Sequence, residues 1–346
     1  MKRIIFVILG LLTAIGGYSQ SNLQTAATVN LIRTEVITVG QLKVEVERME
    51  KASGRSLNHA ERLQVLDVMI NERLALQAAE RDKVSITENE INQQIQQLRA
   101  TLSQQIGRQP TDAEFNQAIR NESGLDMTAF REQLRRQLIV QKYLISKKDN
   151  LISSVKQPTD EEIRNQYNLL RAQFVRPDTI RFIMIQVPYG PDAASRSKAR
   201  TLADSLVREI NSNPSKFDEV AARSQAPNSG YQAGDFGYLY QNMESASVVG
   251  QEFMNIAFAL KQSEVSKLIE GVPGFQIIKI TENYSMKNLE LSDVYQLGTR
   301  GTVKDYIGQM LFSQKQQTTL QQASKELVTE LRTGRSFQIF ENNVKW

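Results

Sequence analysis

Cysteine is absent from this 346-residue chain, histidine and tryptophan occur once each, and 42 Lys and Arg stand against 38 Asp and Glu. Without cysteine there is no disulfide, no thiolate nucleophile and no lipid-modified N-terminal cysteine. A single histidine, His59, has no partner histidine or cysteine for a zinc site, and it sits in no Ser/His/Asp or Cys/His motif. At a predicted helix start it reads as a surface or capping residue. The formal net charge of +4 falls to +2 once Lys2 and Arg3 are set aside with the leader described below. Interspersed charges so close to balance carry no nucleic-acid signature. Gly230, Gly234 and Gly237 make no phosphate-binding pattern and read as turn residues. No repeat of solenoid length is present, and no cofactor or metal is expected.

What is present begins with a leader. Lys2 and Arg3 precede an apolar stretch at 4–15, and Gly17 and Ser19 are small enough for cleavage, which is the pattern of a secretory signal peptide at 1–19. A membrane-spanning helix needs about 20 apolar residues, and polar residues 18–21 arrive too early for one. The mature chain is expected to be soluble, without stable membrane insertion.

Two short strands are predicted at 27–32 and 35–39 around a polar turn, followed by a helical region to about residue 173. Four helix starts carry a capping side chain with Glu three residues on: Asn58 with Glu61, Thr87 with Glu90, Thr111 with Glu114, and Thr159 with Glu162. Apolar residues then recur at helical spacing, as in Leu63, Leu66, Met69, Ile70 and Leu74, in Ile91, Ile95, Leu98 and Leu102, and in Phe130, Leu134, Leu138 and Tyr143. Asp160, Glu161 and Glu162 suit a helix N-terminus better than acid/base chemistry. Beyond 176–178, a helix-breaking Arg-Pro-Asp, the periodicity predicts a strand at 179–187, helices at 192–211, 216–223 and 252–260, and a strand at 274–280. A long amphipathic helix at 303–331 and a strand at 336–340 close the chain. Met69, Met127 and Met310 read as core residues, the alternative being adaptable contacts in a groove.

Within this frame, Gly234-Asp235-Phe236-Gly237, the apolar stretch Phe253 to Leu260, Glu264-Val265-Ser266 and Gly274-Phe275-Gln276-Ile277-Ile278-Lys279 follow one another in order. The series resembles the parvulin prolyl isomerases, whose motifs are G-D-L-G, F-x-x-A-A-F-x-L, G-E-V/I-S and G-Y/F-H-I-I-K. With flanking strands and helices and a returning C-terminal helix and strand, the whole layout resembles the SurA/PrsA family of extracytoplasmic chaperones. That resemblance implies an α+β fold: a mostly helical chaperone domain built from N- and C-terminal segments, with an inserted parvulin-like domain of a small antiparallel sheet and helices. The implied boundaries are a signal peptide at 1–19, a chaperone domain at 20–175, a parvulin-like domain at 176–284 and a C-terminal helix and strand at 285–346 packing back on the first domain.

Twisting a prolyl peptide bond meets a barrier of about 18–20 kcal/mol, and an apolar pocket that favours the twisted amide lowers it without covalent chemistry. By resemblance, that pocket would be Phe236, Val249 and Phe253, with Phe258 packing beneath the sheet. The polar part departs from the family. Active parvulins carry a histidine in the first strand and another in the last, where this chain has Phe182 and Gln276. The loop 224–229 supplies neither the acid nor the cysteine that relatives place before G-D-L-G. A glutamine can still hydrogen-bond where a histidine did, whereas phenylalanine cannot. The expected function is an ATP-independent periplasmic chaperone that binds unfolded exported polypeptides, outer-membrane proteins among them, with Phe182, Phe236, Val249, Phe253 and Gln276 as the binding surface of a degenerate parvulin domain. The alternatives are a working prolyl isomerase acting on secreted proteins, or a noncatalytic adaptor for one folded partner.

Overall fold

The structure, a computed structural model, describes residues 20–213, 215–332 and 336–346. The signal-peptide reading of 1–19 lies outside the described residues. The described residues divide into two compact units, one formed by those up to 156 together with those from 314, and the other by those from 157 to 313. The architecture is α+β, and among the described residues no helix is long and apolar enough to cross a membrane.

The first unit opens with β1 (Thr25–Asn30) and β2 (Thr34–Thr38), followed by α1 (Val39–Ser53), α2 (His59–Arg81), α3 (Glu88–Ile106), α4 (Asp112–Ser123) and α5 (Met127–Ser153). The capping boxes read from sequence are formed at Asn58/Glu61, Thr87/Glu90 and Thr111/Glu114, each side chain accepting from one free N–H while Glu accepts from another. A further box, Thr38 with Gln41, starts α1. Such boxes satisfy backbone donors that the helix itself cannot, each Ncap being worth about 0.5–2 kcal/mol. His59 is the first residue of α2 and is exposed.

Two cores hold this unit. In one, Leu66, Met69, Ile70 and Leu74 of α2 meet Val29 and Ile37 of the sheet, Leu42 and Val46 of α1 and Tyr143 of α5. In the other, Ile91, Phe115, Phe130 and Leu134 close α3, α4 and α5 on one another, with Met127 at the margin. Fully burying such a side chain contributes about 1.5–3 kcal/mol, so these clusters outweigh any single cap.

The second unit contains α6 (Asp160–Leu170), whose Thr159/Glu162 box forms as read, then β3 (Val175–Arg176), β4 (Thr179–Pro188), α7 (Ala193–Ser212), α8 (Lys216–Arg223), β5 (Gln232–Tyr240), α9 (Met243–Val249), α10 (Gln251–Ala259), β6 (Ile269–Gly271), β7 (Gly274–Tyr284) and β8 (Lys287–Asn288). Its main sheet is antiparallel in the order β5-β4-β7-β6. Alternation along the strands sends Ile185, Val187, Phe275 and Ile277 to one face, where α7 and α8 pack through Ala203, Leu206, Ile210, Phe217 and Val220. Ile180, Phe182, Ile278 and Ile280 go to the other face, covered by Phe253, Met254 and Ala257 of α10.

The helix α11 (Val303–Leu331) belongs to the second unit up to Ser313 and to the first from Gln314. In the first unit its last turns are held by Lys148 of α5, 2.6 Å from Glu330 and 3.2 Å from Glu326. Arg332, just beyond, reaches Asp67 at 2.6 Å. The chain then adds β9 (Phe337–Ile339) beside β1, giving a sheet in the order β2-β1-β9. The two compact units divide at 156/157 and 313/314. The physical reason is an apolar cluster in which Ile163 and Phe174 join Leu289, Val303 and Ile307, so α6 and residues 285–313 fold with the second unit.

Candidate functional site

The face of the sheet under α10 brings four of the five sequence-predicted site residues together. Phe182, in the middle of β4, is fully buried and is paired across the sheet with Gly237 of β5 and Ile280 of β7. Its ring is stacked with that of Phe236 at 4.7 Å between centroids and tilted against Phe253 at 5.6 Å. Phe253 is buried on the inner face of α10. Val249, the last residue of α9, packs on the same cluster, and so does Phe258. Phe236 differs from its neighbours in keeping 42% of its surface exposed. One ring face is therefore spent on Phe182 and part of the side chain remains for a ligand.

Gln276 stands apart from the aromatic group. It lies in β7, opposite Gln186 of β4 and Ile269 of β6, on the same side of the strand as Ile278 and Ile280. Its side chain is buried against Gly271, where an added Cβ would come within 2.8 Å of the Gln276 Oε1. The β6–β7 hairpin thus encloses this amide. Met69 and Met127 pack in the cores of the first unit, and Met310 packs with the α6 cluster of the second. None of the three is placed in the aromatic face.

The reading of Gly234 and Gly237 as turn residues is corrected by the structure. Both lie inside β5, and only Gly230 precedes it. The register between β4 and β5 slips between Phe182 and Ile183, so that Phe236 is the extra residue of a β-bulge. Gly237 has φ +87°, a conformation that an L side chain resists. The motif Gly-Asp-Phe-Gly is therefore a bulged strand, and the bulge tips Phe236 over Phe182.

Asp235 and Arg181 fix that bulge, a role the sequence reading did not assign to them. Arg181 follows Phe182's opposite face by strand alternation and donates to Asp235 through Nε at 3.0 Å and Nη2 at 2.5 Å. The Gly237 N–H donates to the same carboxylate at 2.8 Å. Arg181 also donates to Glu282 of β7 at 2.9 Å, and Glu282 accepts from the hydroxyls of Tyr238 at 2.9 Å and Tyr284 at 2.6 Å. The guanidinium holds the Asp235 carboxyl below its ordinary range. The Tyr284 hydroxyl bond does the same for Glu282, with Arg181 adding to it, while Glu282 in turn pushes Tyr284 up to about 12. This charged row crosses three strands behind the aromatic face and stiffens it. The signal that could have found it is the Asp two residues before a strained glycine, an Asx-type turn partner.

Chemically, the aromatic cluster offers the apolar surfaces of Phe182, Phe236, Val249 and Phe253. It can take up a proline ring or another apolar group through contact and stacking. The loop 224–229 holds itself together: the Ser229 hydroxyl shares its one proton between the carbonyls of Ser224 at 3.0 Å and Tyr231 at 2.9 Å.

The chain matches the family described as PPIC-type PPIASE domain over residues 168–284 and the SurA-like N-terminal domain over residues 1–144. It is similar to Chaperone SurA of Saccharophagus degradans, 28% identical over 74% of this chain and 57% of that protein. It is also similar to Foldase protein PrsA of Clostridium botulinum, 23% identical over 88% of this chain and 82% of that protein. The chain spans about half to three fifths of the length of the SurA proteins it matches. Among solved structures, a SurA-like chaperone of Campylobacter jejuni aligns over 91% of this chain and 99% of its own at 13% identity, with a TM-score of 0.39.

Proposed function

We infer that this SurA/PrsA-like chain, which joins a SurA-like N-terminal domain to a PPIC-type peptidyl-prolyl isomerase domain, is an ATP-independent periplasmic chaperone for unfolded exported polypeptides, outer-membrane proteins among them. Residues 176–284 are its peptide-binding module. The observation that carries this reading is the aromatic stack: Phe182, at a position where active family members carry a histidine, is buried and stacked under the half-exposed Phe236. Binding energy is retained on such a surface, while Phe182 offers no hydrogen bond that would favour the twisted amide over the planar one. A surface that grips proline, aromatic and aliphatic side chains alike tolerates many sequences, which is what a chaperone requires. Capture lowers the concentration of free unfolded chain and so slows its aggregation. Relatives named as chaperone and as foldase support the same reading.

Residual prolyl isomerisation is the second reading, favoured by one observation: the apolar wall of Phe253 and Val249 is kept, and the Gln276 amide stands where a histidine would. The test is dilution of an urea-unfolded outer-membrane barrel into purified residues 20–346, followed by light scattering, with a chemically unrelated unfolded protein in parallel. Suppression of aggregation in both is expected. Suppression in neither would sink the chaperone reading, and binding of a single folded partner with neither client protected would favour an adaptor.

A further inference from the structure

Two of the three rings that meet in the aromatic face are closed off from solvent. Phe182 is 0% exposed and Phe253 4%, whereas Phe236 keeps 42%. A ligand ring that is to pack on Phe253 must therefore displace a segment that covers the cluster. Met184 belongs to β4, and Ile256 and Phe258 to α10, elements whose own buried residues form the cluster. Ala246 and Val249 come instead from α9, in which no residue is buried. Lifting α9 gives up the burial of these two partly covered side chains, far less apolar area than moving α10 with Phe253, Met254 and Ala257. Segments with few buried apolar contacts are the ones that open at low free energy.

α9 ends on a pivot. Gly250, which joins it to α10, has φ +89° and ψ 147°, a backbone region that essentially only glycine enters. A Cβ added there would meet open space, so the glycine serves the backbone and not a close approach. At the other end Asn242 sets the direction in which α9 leaves β5. Its N–H donates to the Tyr240 carbonyl at 2.9 Å, and its side chain accepts from the Ser245 N–H at 2.8 Å. One capping residue and one glycine pivot thus hold a short helix against a buried aromatic cluster.

We propose that α9 is a lid on the aromatic face: it swings about Gly250, uncovers Phe253 and admits the proline ring of an unfolded segment. The lid rests on the reading of residues 176–284 as a peptide-binding module, and it sets how that module is regulated. Apparent affinity is then the affinity of the open face reduced by the fraction of molecules that are open. A change that loosens α9 without touching the aromatic rings tightens binding, the opposite of its effect if α9 were a fixed wall of the site.

The probe is a short Gly/Ser peptide with a central Ala-Pro, acetylated and amidated, titrated calorimetrically into residues 20–346. Asn242→Ala, which removes the cap, and Gly250→Ala, which disfavours the closed backbone, are each expected to bind it about threefold to tenfold more tightly than the unchanged chain. Thermal unfolding checks that both variants are folded. A second measurement needs neither of them: because the chain has no cysteine, Val248→Cys, at an exposed position of α9, carries a single nitroxide. Its mobility should rise as the peptide is added. Weaker or unchanged binding in either folded variant, or a nitroxide whose mobility the bound peptide leaves unchanged, overturns the lid and leaves the peptide-binding reading standing. Failure of every form to bind the peptide would remove the aromatic face as a binding site and the lid with it.

Discussion

The stability of the first unit should fall as pH rises from about 4.5 to 7, and Glu45 is the main reason. This residue of α1 is only 5% exposed, and burial pushes its carboxyl up from 4.5 to about 7. Arg48 opposes the shift, the neighbouring carboxylate Glu72 of α2 adds to it, and Arg136 of α5 opposes it again. Glu72 is itself raised by burial. In the unfolded chain Glu45 would lose its proton near 4.5, so between these values the folded state holds a proton that the unfolded state has released. Folding is then favoured by acid, and the contribution present below pH 4.5 is lost as pH approaches 7. Moving this carboxyl from 4.5 to about 7 corresponds to about 3 kcal/mol, a large part of the stability of a unit this size. Trp346, the only tryptophan, belongs to the first unit and lies between Lys43 and Arg62, so its fluorescence reports this unit during urea unfolding. The midpoint should be higher at pH 5 than at pH 7.5, and Glu45→Gln should flatten the slope between them. A midpoint that rises with pH in this window, or a slope unchanged in Glu45→Gln, would refute the assignment.

Phe236→Ala should cost only about 1 kcal/mol of stability, the worth of an aromatic stack on a half-exposed ring, while weakening client binding about tenfold. Phe253→Ala, by contrast, should destabilise the second unit by about 3–5 kcal/mol, which thermal unfolding monitored by circular dichroism would register. Gly237→Ala should cost about 1–2 kcal/mol from backbone strain alone, since a Cβ there meets open space, and should weaken peptide binding through the displaced bulge. Below pH 4.5 the first unit should weaken again, because Glu61, Glu90 and Glu114, held down to about 2 by arginine, lysine and helix N-termini, contribute stability that is lost as they protonate. The same fluorescence titration extended to pH 2.5 measures it.

How much of this was legible beforehand depended on whether the signal was local. Capping boxes are written within four residues, and Thr87/Glu90, Thr111/Glu114 and Thr159/Glu162 were read as they stand. The 303–331 helix was read to the residue because its apolar spacing is regular and long. The Thr38/Gln41 box went unread because Thr38 also ends a strand. β5 was missed because its glycines speak for turns, and only pairing with β4 shows that Gly237 serves a bulge. β3, β6 and β8, at two or three residues, are too short for a period. The residues that meet in the aromatic face were named from sequence by resemblance, motif by motif, and the structure brings Phe182, Phe236, Val249 and Phe253 together. The Arg181–Asp235–Glu282 row was not legible, since it joins residues tens of positions apart whose meeting is decided by strand register.

The central claim is that the aromatic face holds unfolded segments without turning them over. Its most direct test measures, on the same sample of residues 20–346, both the binding of a proline-containing unfolded peptide and its cis–trans exchange rate in a protease-coupled assay. The predicted result is saturable binding that Phe236→Ala weakens, with exchange accelerated by no more than about twofold over the free peptide. Turnover comparable to that of an active parvulin, or no binding at all, would contradict it.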